Sequence, residues 1–381
     1  MKKSIGLCMI VKNEAKVIRR CLDSVMPLID YVCIVDTGST DGTQAIIKQY
    51  LNEKNLIGEV FDEPWQNFAY NRTFALAKLR ERQDVDYALM IDADSIITYT
   101  KHFNAETFKN GLEADVYDVN LRLGSIIYHL PLLTSNKLSF NYKGVLHEYL
   151  ELGDGKSRKA AEGFFNDHIQ DSARNTNPKK YLDDALVFEN ALRTETDPFL
   201  ISRYTFYLAQ SYRDCGEKGK SLEAYQRRTT MGYWDQEIFY SLYQIAKIKE
   251  ELNYQDAEVI QTYLAAYEVF PARAESLHGA VRFCRLHNKF HQAYLLGKHA
   301  LTIPNQPGGL FVEQWIYNYG LLDEFSIVAY WAGYYRESFD ACLKLLRDKQ
   351  PPLAERDRIK KNAEFAIQKL NNPALRNLLP A

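Results

Sequence analysis

Residues 88–97, ALMIDADSII, constrain this chain more than any other stretch. Four apolar residues run into Asp92 and Asp94, and a second apolar pair follows. A run this short fits a strand buried on both faces, although periodicity alone also allows a buried helix segment. As a strand it would deliver both carboxylates at its C-terminal end, where open α/β sheets bind their ligands. Two carboxylates one residue apart suit a hard divalent cation, which takes oxygen ligands and leaves room for phosphate oxygens and water. Taken alone, the same pair serves as readily to cap a turn or a following helix.

The preceding residues alternate between strand and helix patterns. Ile5–Val11 reads as a buried strand ending in Lys12-Asn13-Glu14, and residues 15–25 have helical spacing through Val17, Ile18, Leu22 and Val25. A second strand, 31–35, runs into Asp36-Thr37-Gly38-Ser39-Thr40-Asp41-Gly42-Thr43, whose hydroxyls can cap a helix over 43–51. Val60-Phe61 reads as a third strand, and 65–79 as a loop entering a helix that carries Asn71 and Arg72. This alternation predicts a mainly parallel, doubly wound sheet. Three strand ends then bring polar groups to one edge: Lys12 to Glu14, Asp36 to Asp41, and Asp92 with Asp94. Beyond them, 114–123 and 126–133 read as strands, 140–152 carries His147-Glu148, and His168 falls in a polar linker ahead of Arg174, Lys179 and Lys180.

In order and spacing these features resemble the family 2 glycosyltransferases of the GT-A fold. The matching features are the IVKNE start, VDTGSTDGT where the family commonly has VDDGSTD, the Asn-Arg of FAYNRTFAL, and the DAD triplet. The resemblance covers roughly the first 150–180 residues. It implies an α/β GT-A domain of mainly parallel sheet, a nucleotide-sugar donor (a UDP-sugar foremost), and Mn²⁺ or Mg²⁺. It implies further that Val11, Asn13, Glu14 and Asp36 line the nucleoside pocket, with Asn71 and Arg72 at the donor. A guanidinium there suits a diphosphate, because its planar fork donates paired hydrogen bonds. Asp94 and Asp92 would face the metal, Asp92 also reaching the ribose or a metal-bound water. Glu148 resembles the general base of inverting members, with His147 as an alternative base or metal ligand. His168 resembles the histidine that completes the metal shell, which would favour Mn²⁺, and Arg174 the basic clamp on the diphosphate. Thr37 departs from the family pattern, where many members carry a second Asp. Each residue also has a plain structural reading: a solvated helix-face arginine, a polar pair at a strand end, a histidine satisfied by neighbours.

From Lys180 onward the pattern is helical. Ile201, Tyr204, Leu208, Ser211 and Tyr212 share a face, Cys215-Gly216 breaks the helix, and 221–231 returns. Pairs follow at 237–252 with 257–269 and 274–286 with 290–301, then 321–346 and a closing helix at 357–370. Pro271 and Pro304 fall about one tetratricopeptide (TPR) period apart. Leu208-Ala209-x-x-Tyr212, Tyr225, Ala293, Ala300 and Pro304 resemble the signature of that repeat. The expected organisation is a GT-A domain over 1–178 and an all-α TPR-like domain over 179–381. Stacked helix pairs offer a concave surface for a peptide or protein, so the acceptor is expected to be a polypeptide or a glycan. Homo-oligomerisation would use the same surface. Many of the 26 tyrosines lie in this half and read as helix-packing residues.

A net charge of −2 argues against a nucleic-acid partner. The six cysteines contain no CxxC pair and suit a reducing compartment. An N-terminal apolar run broken by Lys12, Asn13 and Glu14 is unlike a signal peptide, and no run reaches membrane-spanning length. The expectation is a cytoplasmic, metal-dependent, inverting glycosyltransferase. A non-catalytic scaffold is one rival. A sugar nucleotidyltransferase is another, but it would want a glycine-rich phosphate loop after the first strand, and IVKNEAKVIRR has no glycine.

Overall fold

The computed structural model describes residues 3–124, 126–305, 308–348 and 350–380. The chain divides into two compact units, the first ending at Thr194 and the second starting at Glu195. The helix α5 (Lys180–Leu192), placed with the helical half in the sequence reading, therefore groups with the first unit.

In the first unit, β1 (Ile5–Val11) and β2 (Tyr31–Asp36) are buried at every position because helices cover both faces. Leu7 and Met9 pack with α1 (Ile18–Val25) and α2 (Thr43–Lys54), whereas Cys8 and Ile10 pack with α3 (Phe68–Arg80). The other strands of the sheet are β3 (Gly58–Asp62), β4 (Tyr87–Met90), β5 (Ser95–Tyr99), β6 (Val116–Leu123), β7 (Ile126–Ser135) and β10 (Arg158–His168). Their order is β3-β2-β1-β4-β7-β6-β10-β5, and β8 (Asn141–Lys143) pairs separately with β9 (Tyr149–Glu151). A short α4 (Ala105–Asn110) precedes β6.

The expectation of a mainly parallel sheet needs correction. β1 to β4 are parallel, as are β6 and β10, but β4 with β7, β6 with β7, and β5 with β10 are antiparallel. The cause is local: two residues separate β6 from β7, a connection that only antiparallel strands can make. The sheet is therefore mixed. β2 and β3 extend it to one side of β1 and β4 to the other, so the crevice outside the ends of β1 and β4 is its switch point.

Two further differences bear on the site. ALMIDADSII is not one strand: β4 stops at Met90, and a turn carrying Asp92 and Asp94 leads into β5. His168 does not lie in a linker but ends β10, an eleven-residue strand. The register of β10 against β6 shifts between Ala160 and Phe165, and Gly163 within it has φ +91°. That break hides the period of two from the sequence.

The second unit is all helix: α6 (Pro198–Asp214), α7 (Lys218–Thr229), α8 (Asp235–Glu251), α9 (Asp256–Val269), α10 (Glu275–Leu286), α11 (Phe290–Ala300), α12 (Leu321–Trp331), α13 (Tyr335–Asp348) and α14 (Leu353–Leu370). Consecutive helices pack as hairpins. Gly216, at φ +86°, turns the chain between α6 and α7 where the sequence breaks. Tyrosines fill the helix contacts: Phe206 meets Tyr225 and Tyr240 edge to face. Among the described residues no helix is long and apolar enough to cross a membrane.

Candidate active site

The ends of β1 and β2 are knit by side chains. Val11 and Asp36 face each other in register, and the Thr37 hydroxyl donates to the Val11 carbonyl at 3.1 Å. An ionised Asp at position 37 could not make that bond, having no hydrogen to donate. Asn13 takes a left-handed conformation (φ +59°), its amide donating to Ser39 Oγ at 2.8 Å and its Oδ1 accepting from Thr40 at 2.8 Å. Thr43 Oγ1 accepts the Glu14 amide at 2.8 Å. The hydroxyls of this turn thus hold the 12–15 loop; the expected capping role is absent, since the N-cap of α2 is Gly42 with no side-chain cap. Asp36 is 1% exposed; its Oδ1 accepts from Gly38 and Ser39, while its Oδ2 is buried without a partner among the described residues.

Beside β1, the turn after β4 presents Asp92 and Asp94. β10 pairs with β5 so that His168 lies opposite Ser95, which brings its Nδ1 to 3.5 Å from Asp94 Oδ1. Ligand atoms of Asp92, Asp94 and His168 all lie within 4.8 Å of one another. Two carboxylates and an imidazole at this spacing could hold a divalent metal. Glu14 adds to the negative field: burial, and then Asp94, Asp92 and Asp41, push its carboxyl up to about 7, against an opposing hydrogen bond from the Ala173 amide. Its Oε2 is also buried without a partner among the described residues. A cluster of like charges with unpartnered buried oxygens fits a cation as its missing member.

Arg72, on α3, joins this cluster to the candidate base. Its Nη2 donates to Asp92 Oδ1 and its Nε to Glu148 Oε1, both at 2.6 Å, and the guanidinium lies over the Tyr142 ring at 5.8 Å. Burial opposes its charge, but Asp92 and Glu148 together hold the proton more tightly than usual. The Asp92 carboxyl, which burial alone would raise, is held below its ordinary value by Arg72. The reading of Arg72 as a solvated helix-face charge therefore fails.

Three further expected residues are held by other partners. Asn71 is fully buried, with its Oδ1 accepting from Gln66 and its Nδ2 donating to the Pro64 carbonyl. Its amide braces the loop before α3. His147 is exposed in a left-handed conformation (φ +49°), its ring parallel to Phe188 at 6.2 Å. Arg174 is ion-paired with Asp184 of α5 and lies over Phe68 at 4.9 Å.

The sequence reading missed Asn175. Its Nδ2 donates to Asp94 Oδ2 at 3.2 Å, while Lys180 donates to its Oδ1 at 2.7 Å. Arg20 clasps Asp171 through two bonds of 2.8 and 2.7 Å, so the 171–175 turn is tied both to α1 and to the acidic cluster. Nothing in NTNPKK marks Asn175 apart from its neighbours.

Comparison with known proteins agrees with this geometry. Residues 7–102 match glycosyl transferase family 2. An uncharacterized glycosyltransferase of Rickettsia felis is 24% identical over 245 residues, 62% of this chain and 79% of that protein. The lipopolysaccharide core biosynthesis glycosyltransferase LpsC of Rhizobium meliloti is 33% identical over 93 residues, 24% of this chain and 32% of its own length. A TPR repeat-containing protein of Synechococcus elongatus is 37% identical over 90 residues, 24% of this chain and 20% of that protein. This chain thus spans less than a third of the latter two relatives. By that match over residues 7–102 and by these relatives the chain classes with the glycosyltransferases, its family 2 domain followed by a TPR-like helical repeat region.

Proposed function

We propose that the chain is a GT-A-type enzyme that transfers a sugar from a UDP-sugar, with inversion, using Mn²⁺ or Mg²⁺ held by Asp94, Asp92 and His168. The observation that carries this reading is the approach of those three ligand groups within 4.8 Å at the switch point of a family 2 domain. The metal would supply a Lewis acid that offsets charge on the departing diphosphate. The chain's own residues account for the rest. Val11, Asn13, Glu14 and Asp36 form the nucleoside pocket, where the unpartnered Oδ2 of Asp36 awaits a donor. Arg72 sets Asp92 and Glu148 at a fixed separation and turns its fork toward the diphosphate. Glu148 takes the proton of the acceptor hydroxyl as that oxygen bonds to the anomeric carbon and the bond to the diphosphate oxygen breaks. Arg174 would leave Asp184 to clamp the phosphates, and His147 would stand at the rim. The TPR-like helices would hold the peptide or protein that carries the acceptor, or a second copy of the chain. Six free cysteines support a reducing, cytoplasmic setting.

Calorimetric titration of UDP and GDP, with and without Mn²⁺, into the wild type and Asp94→Ala tests the reading. Mn²⁺-dependent UDP binding that disappears in the variant supports it. Unchanged binding in the variant, or none to either nucleotide, sinks it.

A further inference from the structure

We infer that a cleft on the far side of His168 is a saccharide subsite, in which Arg122, Asp167 and Thr98 bind a neutral, hydroxyl-rich ring. As the acceptor subsite it rests on the transferase reading above. The cleft measures about 370 Å³ and is lined by Ile96, Thr98, Arg122, Asp167, His168 and Ile169. That volume falls in the range of small-molecule sites.

Its position follows from strand geometry. Ile97 and Tyr99 of β5 turn toward α1: the Ile97 amide donates to Ser24 Oγ and the Tyr99 hydroxyl to the Ser24 carbonyl. Alternation along the strand therefore sends Ile96 and Thr98 to the opposite face. Asp167 of β10 pairs with Ile96 in register and Phe165 with Thr98, so the acid shares that face. His168 touches Asp94 and also lines the cleft, so the cleft adjoins the acidic cluster.

Its chemistry is specific. Arg122 and Asp167 meet fork to fork, Nε to Oδ1 at 2.5 Å and Nη2 to Oδ2 at 2.7 Å. Thr98 locks the pair, accepting from Arg122 Nη2 at 2.6 Å and donating to Asp167 Oδ2 at 2.8 Å. The guanidinium rests on the Phe165 ring at 4.3 Å. The result is a rigid polar plate whose charges cancel. It gives no net attraction to an anion or a cation, and a charged ligand would lose hydration without a counter-charge. Arg122 Nη1 has no partner among the described residues, so its hydrogens are available beside the lone pairs of Asp167. A vicinal diol can accept from the first and donate to the second. Ile96 and the exposed Ile169 supply an apolar flank for the C–H face of the ring.

The test is saturation-transfer NMR on the full chain with methyl glucopyranoside and methyl galactopyranoside, and with glucuronate and glucosamine as charged counterparts. The double variant Arg122→Met/Asp167→Leu removes both partners together, so neither is left buried and unpaired. Transfer to a neutral pyranoside should fall at least about fivefold in that variant, the loss of one net hydrogen bond. Should the double variant fail to fold, Thr98→Val keeps the shape, removes the locking hydroxyl and should weaken transfer in the same direction. No transfer to either neutral pyranoside, equal transfer in the variants, or stronger transfer to a charged sugar overturns the inference. The UDP and Mn²⁺ titration reads the transferase assignment separately. A chain that binds UDP but no pyranoside loses only the subsite. Pyranoside binding that depends on Arg122 and Asp167 in a chain that ignores UDP keeps the saccharide site and removes its acceptor role.

Discussion

The two units bury charge in opposite ways. In the helical unit, Arg273 and Glu275 are 1% and 0% exposed, and their groups are saturated. Arg273 Nη2 donates to Glu275 Oε1 at 2.6 Å and Nη1 to the Leu310 carbonyl at 2.6 Å, while Tyr317 donates to Glu275 Oε2 at 2.7 Å. Arg228 and Glu237 repeat the pattern, with the Met231 carbonyl as the extra acceptor. In the first unit, Glu14 and Asp36 each keep a buried oxygen without a partner among the described residues, and Asp92, Asp94 and Glu14 crowd like charges together. A saturated buried pair holds helices in place. An unsaturated cluster is tolerable only where something else completes it, and this contrast separates scaffold from site.

Asp94→Ala should break the contrast most sharply. It should abolish Mn²⁺-dependent transfer by about a thousandfold or more, as expected on losing a metal ligand. Stability should change by less than about 1 kcal/mol, because relief of like charge offsets the lost contacts. Turnover and urea denaturation on the same preparation would show both effects. Glu275→Ala should do the reverse, costing about 3–5 kcal/mol by stranding Arg273, as broken buried pairs do. UDP binding to the surviving folded fraction should be unaltered, read by denaturation and calorimetry.

The pH dependence should sharpen the comparison, because the two units contribute slopes of opposite sign. Burial against Trp315 pushes His278 down to about 4 from an ordinary 6.5. Between those values the unfolded chain binds the extra proton, so this contribution is complete above pH 6.5 and is lost as pH falls toward 4, about 3 kcal/mol in all. Glu14, raised from 4.5 to about 7, works the other way: its contribution is complete below pH 4.5 and is lost as pH rises through 7. Melting curves across this range should show a flatter acid limb in His278→Gln and a flatter neutral limb in Glu14→Gln. The smallest effect belongs to Thr37→Val, which removes one hydrogen bond between β1 and β2 and should cost about 1 kcal/mol. A larger loss would mean that the turn itself had opened, which hydrogen exchange at Gly38 and Ser39 would report.

Much of the site could be read before any coordinates. Asp92 and Asp94 stood out only together with the two other polar strand ends, whose order and spacing no single pair of acids carries, and Arg72 stood out through its motif. Asn71 and Arg72 are both buried, and their shared motif does not say that the Asn71 amide braces the loop before α3 while the Arg72 guanidinium reaches Asp92 and Glu148. Asn175 carried no signal, since its role depends on a turn that folds back over residues 81 positions earlier. His168 was a candidate on type and position, but its strand was invisible behind the register shift at Gly163.

The sequence by itself determined the alternation of strands and helices, the polar strand ends, and the helical second half. Those follow from local periodicity, caps and breakers, which act over a few residues. Only the tertiary structure decided that the sheet is mixed, that β10 inserts between β6 and β5, and that Asp94 therefore meets His168 and Asn175. Pairing of strands distant in sequence is set by which edges remain free and which faces must be buried, and neither is a property of any short segment.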